Sequence, residues 1–230
     1  MFMKAPLRWR IANMVQKIVD SVVGGPCVSL DAVIFDFGGV LAEEGFFEGF
    51  KAIAARHGMD SGGLAETAVD VIRRGGYVEG RATEAEFWEA LRARTGLSEP
   101  DGLLRRELLS RFVPRDFMFA RVDKLRAAGY KVAILSDQTN WLDELDAAHG
   151  VFAHFDLVLN SYRLGKTKKD PTLFDDILAA LDVAPERALF IDDFEGHIRR
   201  ARARGLHTIF YTGREDFEAQ FRKFCPGLEA

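Results

Sequence analysis

The chain has 230 residues, of which 48% are hydrophobic and 29% charged, with a formal net charge of −4 at pH 7. That composition supplies a substantial core and excludes a chain disordered along most of its length. Acidic and basic residues are interleaved, so no global basic field is present to hold nucleic acid, and no run of about 20 apolar residues offers a transmembrane segment.

Residues 1–28 read as an N-terminal extension. Ile11, Met14, Val15, Ile18 and Val22 fall at helical spacing and give an amphipathic stripe that Gly24, Gly25 and Pro26 end. Gln16, Lys17 and Asp20 interrupt any apolar leader core, and no clear cleavage signal follows. The two cysteines, Cys27 and Cys225, lie far apart and outside any CxxC pair. That usage suits a reducing compartment, so a cytoplasmic location is the expectation. The scattered apolar residues leave the oligomeric state open.

The clearest strand spans 31–37, where Ala32, Val33, Ile34, Phe35 and Phe37 surround a single acid, Asp36. A continuous apolar run is what a parallel strand covered on both faces requires. Gly38 and Gly39 then permit close backbone approach at its end. A helical segment over 114–128 precedes a second strand at 131–135, which ends in the polar run from Ser136 to Asn140. Further strands are predicted at 157–159, 188–191 and 207–211, with helices between them and a final helix anchored by Phe217 and Phe221. This alternation predicts an α/β fold, a doubly wound parallel, Rossmann-like sheet with its site along the C-terminal strand ends.

The interval between the first two strands is too long for a simple crossover. Residues 43–109 read as several helices, one beginning at Thr83 with Glu86 as a capping box, and so as a helical cap inserted into a core formed by 29–42 and 110–230.

Four places at predicted strand ends carry chemistry. Asp36 sits among apolar neighbours, which is costly unless it emerges at the strand end or is paired, and reads as a nucleophile or metal ligand. Ser136 offers a hydroxyl and a following N–H to an anion, with Asp137 beside it as a second candidate contact. The cationic turn containing Lys166, Lys168 and Lys169 offers a lysine to a phosphoryl oxygen, and the residues alone do not choose among the three. Asp192 and Asp193 repel each other unless a cation intervenes, and their oxygens suit magnesium.

At these residues the chain resembles the haloacid-dehalogenase-like hydrolase superfamily, most of whose members are phosphatases. Residues 36–41 resemble its first motif, Ser136 the second, Lys168 within Lys168-Lys169-Asp170-Pro171 the third, and Asp192-Asp193 the fourth; the inserted helices are similar to its C1 cap. The resemblance implies a magnesium-dependent phosphomonoester hydrolase that attacks through Asp36 to form an aspartyl phosphate. Ser136, Asp137 and Lys168 would hold the phosphoryl group, and Asp36, the Gly38 carbonyl, Asp192 and Asp193 the Mg2+. The implied substrate is a small phosphorylated metabolite.

Two departures matter. The superfamily's usual acid/base Asp, two positions after the nucleophile, is Gly38 here, and a frequent Asn after the acidic pair is His197. Without that proton donor, a substrate with a good leaving group is expected, such as a sugar-1-phosphate, acyl phosphate or aryl phosphate, unless Glu43 or Glu44 supplies the proton. Gly38 also motivates two other expectations: a metal-independent 2-haloacid dehalogenase-type hydrolase, and a phosphate-ligand-binding protein without turnover.

Overall fold

A computed structural model describes residues 29–228; the expected N-terminal helix and Cys27 lie outside the described residues. Five parallel strands, β1 (Ala32–Phe35), β2 (Lys131–Ser136), β3 (Leu157–Asn160), β4 (Ala188–Asp192) and β5 (His207–Phe210), form one sheet in the order β3-β2-β1-β4-β5. β1 lies at its centre, with Phe35 opposite Ile134 of β2 on one side and Ile191 of β4 on the other. Three strand tips that carry the candidate residues therefore end side by side.

The alternation along β1 explains why it takes the centre. Val33 and Phe35 point into one core with Met118 and Val122 of α5 (Asp116–Ala127) and with Phe217 and Phe221 of α10 (Arg214–Phe224). Ala32 and Ile34 point into the opposite core, with Phe174 and Ile177 of α8 (Thr172–Leu181) and Ile198 of α9 (Glu195–Ala203). Each fully buried Val, Ile or Phe contributes about 1.5–3 kcal/mol. A charge at Ile34 would remove that contribution and add an unpaired buried ion.

Four of the helices between β1 and β2, those before α5, form the cap: α1 (Gly45–Arg56), α2 (Ser61–Gly75), α3 (Glu84–Thr95) and α4 (Asp101–Leu109). They share a separate core that includes Phe50, Leu64, Ala68, Trp88, Leu91 and Leu104. The capping box at Thr83 is present, with the Glu86 carboxylate accepting from Thr83 N at 2.7 Å. Among the described residues no helix is long and apolar enough to cross a membrane.

Strand 1 is shorter than the predicted 31–37, because at Asp36 the chain turns and the Asp36 carboxylate accepts from Phe37 N at 2.7 Å. Asn140 and Trp141 also behave differently from a plain helix start. Asn140 precedes α6 (Trp141–His149) without a side-chain cap, and its Oδ1 accepts from the Tyr77 hydroxyl of the cap at 2.6 Å. Trp141 is fully buried in the cap's core, edge-on to Tyr77 and 5.9 Å from Trp88. The pair belongs to the sheet domain by sequence and joins the cap to it by contact.

Candidate active site

Asp36, Ser136 and Asp193 leave the tips of β1, β2 and β4 and line one cavity of about 310 Å³, closed on the far side by cap residues such as Phe46, Ile72 and Val78. A cavity at the low end of the usual range suits one small molecule. Lys168, fully buried behind Asp36, comes from the turn before α8. There the Asp170 carboxylate accepts from Thr172 N at 2.9 Å and starts the helix, while Lys168 N donates to Asp137 Oδ1 at 2.8 Å. That answers the choice among the lysines: Lys168 is fully buried, Lys166 pairs with Asp176 at 2.5 Å, and Lys169 is exposed at the cavity wall.

The Lys168 ammonium lies 2.6 Å from Asp36 Oδ2 and 2.7 Å from Asp192 Oδ2, with Phe190 beneath it. Burial alone would lower its pKa, but Asp192 and Asp36 raise it well above the ordinary lysine value, so it is permanently charged. Burial pushes the Asp36 carboxyl well up; Lys168 opposes the push, and Asp192 and Asp193 add to it. Asp192 is also buried, yet Lys168 and His197 hold its carboxyl below the usual range. Asp193 is raised to about 6 by burial and by Asp192.

His197 sits with Nδ1 3.0 Å from Asp192 Oδ2 and 3.2 Å from Oδ1. Burial lowers its pKa, and a neutral ring facing a carboxylate donates from that nitrogen. Asp192 Oδ1 also accepts from Phe194 N at 2.7 Å. Asp36, Asp192 and His197 together offer donor atoms within 4.8 Å of one another, a grouping able to coordinate a divalent metal. Lys168 occupies the facing oxygens of both acids, however, whereas Asp193, beside this group, has no cationic side chain paired with it among the described residues. With Asp36, Asp192 and Asp193 all ionised, three carboxylates against one ammonium leave two negative charges, the charge of one divalent cation. An all-oxygen set of that kind fits magnesium.

The loop after Asp36 is shaped for this arrangement. Gly39 has φ 78°, and a Cβ there would overlap the Asp193 carboxylate. Arg115, which the sequence does not single out, donates to the carbonyls of Gly39 and Val40 and pins the loop. The same guanidinium grips Glu43 through both carboxylate oxygens and holds its carboxyl below the ordinary range, so Glu43 faces the neighbouring depression and not the Asp36 cavity. Glu44 does line that cavity. Burial raises its carboxyl while one oxygen caps α1 at Phe47 N, 2.7 Å away. Of the two glutamates, Glu44 is therefore the one that shares a cavity with Asp36.

The sequence reading also passed over Phe194. It follows the acidic pair directly and stands 52% exposed at the cavity, where an apolar residue in a turn gives no periodic signal.

Comparison with known proteins agrees with this geometry. Phosphatase MT3486 of Mycobacterium tuberculosis is 26% identical over 197 residues, covering 78% of this chain and 86% of that protein. Mouse acyl-CoA dehydrogenase family member 10 is 28% identical over 198 residues, 79% of this chain, but the chain spans only 18% of that protein's length. Among solved structures, a HAD family enzyme from Bacteroides thetaiotaomicron, in complex with magnesium and inorganic phosphate, superposes with a TM-score of 0.68 at 24% identity, covering 84% of this chain and all of that one. The L-2-haloacid dehalogenase of Xanthobacter autotrophicus gives 0.60 at 19% identity, covering 86% of each chain. These two likenesses speak to the fold. The model of the haloacid dehalogenase-like hydrolase family matches residues 30–205, the span that holds four of the five strands, the cap and the residues Asp36, Ser136, Lys168, Asp192 and Asp193, and the chain belongs to that family.

Proposed function

We propose that the protein is a magnesium-dependent phosphomonoester hydrolase acting on a small phosphorylated metabolite with a good leaving group. The observation that carries this reading is Lys168, fully buried behind the cavity residue Asp36 and within 2.7 Å of both Asp36 and Asp192. A permanent ammonium beside a nucleophilic carboxylate suits a dianionic phosphoryl group more than a neutral carbon. The 26% identity to a phosphatase over most of both chains supports it.

In this reading Asp36 attacks phosphorus in line. Its carboxylate oxygen forms the new O–P bond, and the bond to the leaving oxygen breaks with its electron pair going to that oxygen. Ser136 and Lys168 hold the transferred oxygens, and Asp137 positions Lys168 through its backbone N–H. Water then hydrolyses the aspartyl phosphate, which returns the carboxylate and releases phosphate. Asp36, Asp193 and the Gly38 carbonyl would hold Mg2+, with Asp192 in support. When bound, the ion supplies positive charge that offsets the phosphoryl oxygens.

Gly38 favours a second reading, a dehalogenase-type attack on carbon by the same Asp36. Turnover assays with and without Mg2+ separate the two: metal-dependent phosphate release supports the phosphatase, and metal-independent halide release from a 2-haloacid replaces it. Asp36→Asn is expected to abolish both turnover and an acid-stable phosphoenzyme. Retention of either removes Asp36 from the mechanism.

A further inference from the structure

The described residues expose five large hydrophobic side chains, and two of them, Phe47 at 41% and Phe194 at 52%, line the cavity that holds Asp36. One comes from the first turn of cap helix α1 and the other from the core turn after β4. Exposed phenylalanine lowers solubility, and a pair of them at one cavity calls for an occupant.

Both rings are held despite their exposure. Phe194 N is fixed to Asp192 Oδ1, and its ring lies 4.8 Å from the His197 imidazole. The ring also rests over Gly196, where an added Cβ would come within 2.6 Å of Phe194 Cε1. Phe47 stands edge-on to Phe46 at 6.1 Å, and Phe46 in turn packs edge-on to Phe50 in the cap core at 4.9 Å. Held rings form an apolar wall that is ready before a ligand arrives, and aromatic rings gain most from a flat aromatic partner in an offset or edge geometry.

A second observation points the same way from chemistry. Position 38 carries no acid, and Glu44 at the cavity wall has one carboxylate oxygen engaged by Phe47 N, so a leaving oxygen that can depart with little protonation fits the site best. A phenolic oxygen does this far more readily than an alkyl alcohol, because the ring delocalises the charge.

We propose that the leaving group is aromatic, a phenolic or comparably acidic ring oxygen, and that Phe47 and Phe194 select it. This rests on the phosphatase reading above. The P–O bond to the ring breaks with its electron pair on the ring oxygen, Asp36 takes the phosphoryl group, and water later releases it as phosphate.

The test compares phenyl phosphate with a fluorinated alkyl phosphate whose alcohol matches phenol in acidity, with acetyl phosphate as a third substrate. Matching acidity removes the leaving-group effect and leaves ring recognition. The wild type is expected to favour phenyl phosphate at least about 10-fold in kcat/KM, mostly through KM. Phe47→Ala and Phe194→Ala should each lower that ratio about 3- to 10-fold, the range of one aromatic pair. Gly196→Ala leaves both rings in the chain but displaces Phe194, and should lower the ratio as well.

Equal turnover of the two matched substrates by the wild type overturns the aromatic assignment and leaves the phosphatase standing. A preference untouched by all three substitutions overturns the role of the two rings. Failure to release phosphate from any of the three substrates, with no phosphoenzyme, overturns the phosphatase reading and this inference with it.

Discussion

Replacing Lys168 by Met keeps most of the side-chain volume and removes the ammonium that Asp36 and Asp192 share at 2.6 and 2.7 Å in a fully buried position. Breaking a buried ion pair by removing one partner costs about 3–5 kcal/mol, because the remaining charges have no water to return to. For a chain of this size each kcal/mol moves Tm by about 2–4 °C, so the variant should melt about 6–20 °C lower at neutral pH in the presence of a chelator. The cost belongs to the ionised carboxylates, which fixes its pH dependence. Without Lys168 the folded-state pKa of Asp192 rises above its unfolded value and that of Asp36, already raised by burial, rises further; acids shifted upward cost stability as pH climbs from the unfolded to the folded value. The gap between variant and wild type should therefore be widest at pH 7–8 and narrow toward pH 5. Neutralising one acid as well, in Asp36→Asn/Lys168→Met, should recover part of the loss. Thermal unfolding of the four proteins of this cycle across pH is the assay. A Tm change under about 2 °C, or a loss equal at pH 5 and pH 8, would refute the claim that the lysine holds two buried negative charges in place.

Three further outcomes are expected. Asp193, raised to about 6, must give up its proton to hold a cation, so below pH 6 the apparent Mg2+ affinity should fall up to about tenfold per pH unit; the Tm increase on adding Mg2+ reads this and should be larger at pH 7.5 than at pH 5. The Gly39→Ala variant combines an unfavourable φ of 78° with a methyl group pressed on the Asp193 carboxylate, and isothermal titration should find its Mg2+ binding weakened at least about tenfold. Gly38→Asp restores an acid at a position whose Cβ would meet only the edge of Phe112 at 3.3 Å, a contact the ring can relieve by a few tenths of an ångström. It should raise kcat/KM for alkyl phosphates by up to about 10²–10⁴-fold and leave acyl phosphates nearly unchanged, as a leaving-group series would measure.

The parts of this molecule that could be read from sequence are those in which one local rule decides the outcome. A four-residue apolar run such as 188–191 ends in the acids Asp192 and Asp193, and burial on both faces makes it a parallel strand whose tip is the natural place for charge. The capping box at Thr83 and the paired phenylalanines of α10 are decided in the same way. What escaped depends on distant partners. Asn140 has the composition of a helix cap, yet its acceptor is claimed by Tyr77, 63 positions away. Glu43 and Glu44 are neighbours of identical type, and only Arg115, 72 positions from Glu43, makes one of them a loop clamp and leaves the other to the cavity. Lys166 and Lys168 differ by two positions along the same turn; the backbone bond from Lys168 to Asp137 decides which of them is buried behind Asp36.

The same distant contacts explain how two domains can share one site without losing precision. Asp36, Ser136, Lys168 and Asp192 all rest on the sheet and its adjoining turns, so their mutual distances are set by strand pairing and do not depend on where the cap stands. The cap adds the other half of the cavity wall, and it is tied to the core through Tyr77 on Asn140, Trp141 in the cap's own core, and Ser161 Oγ on the Val78 carbonyl at 2.7 Å. Two of these ties start from Asn140 and Trp141, four and five positions after the Ser136 tip. A substitution such as Asn140→Ala should therefore disturb KM, through the cap's position, more than the phosphoryl-transfer step itself. If it lowered kcat and left KM alone, the division of labour between sheet and cap would be wrong.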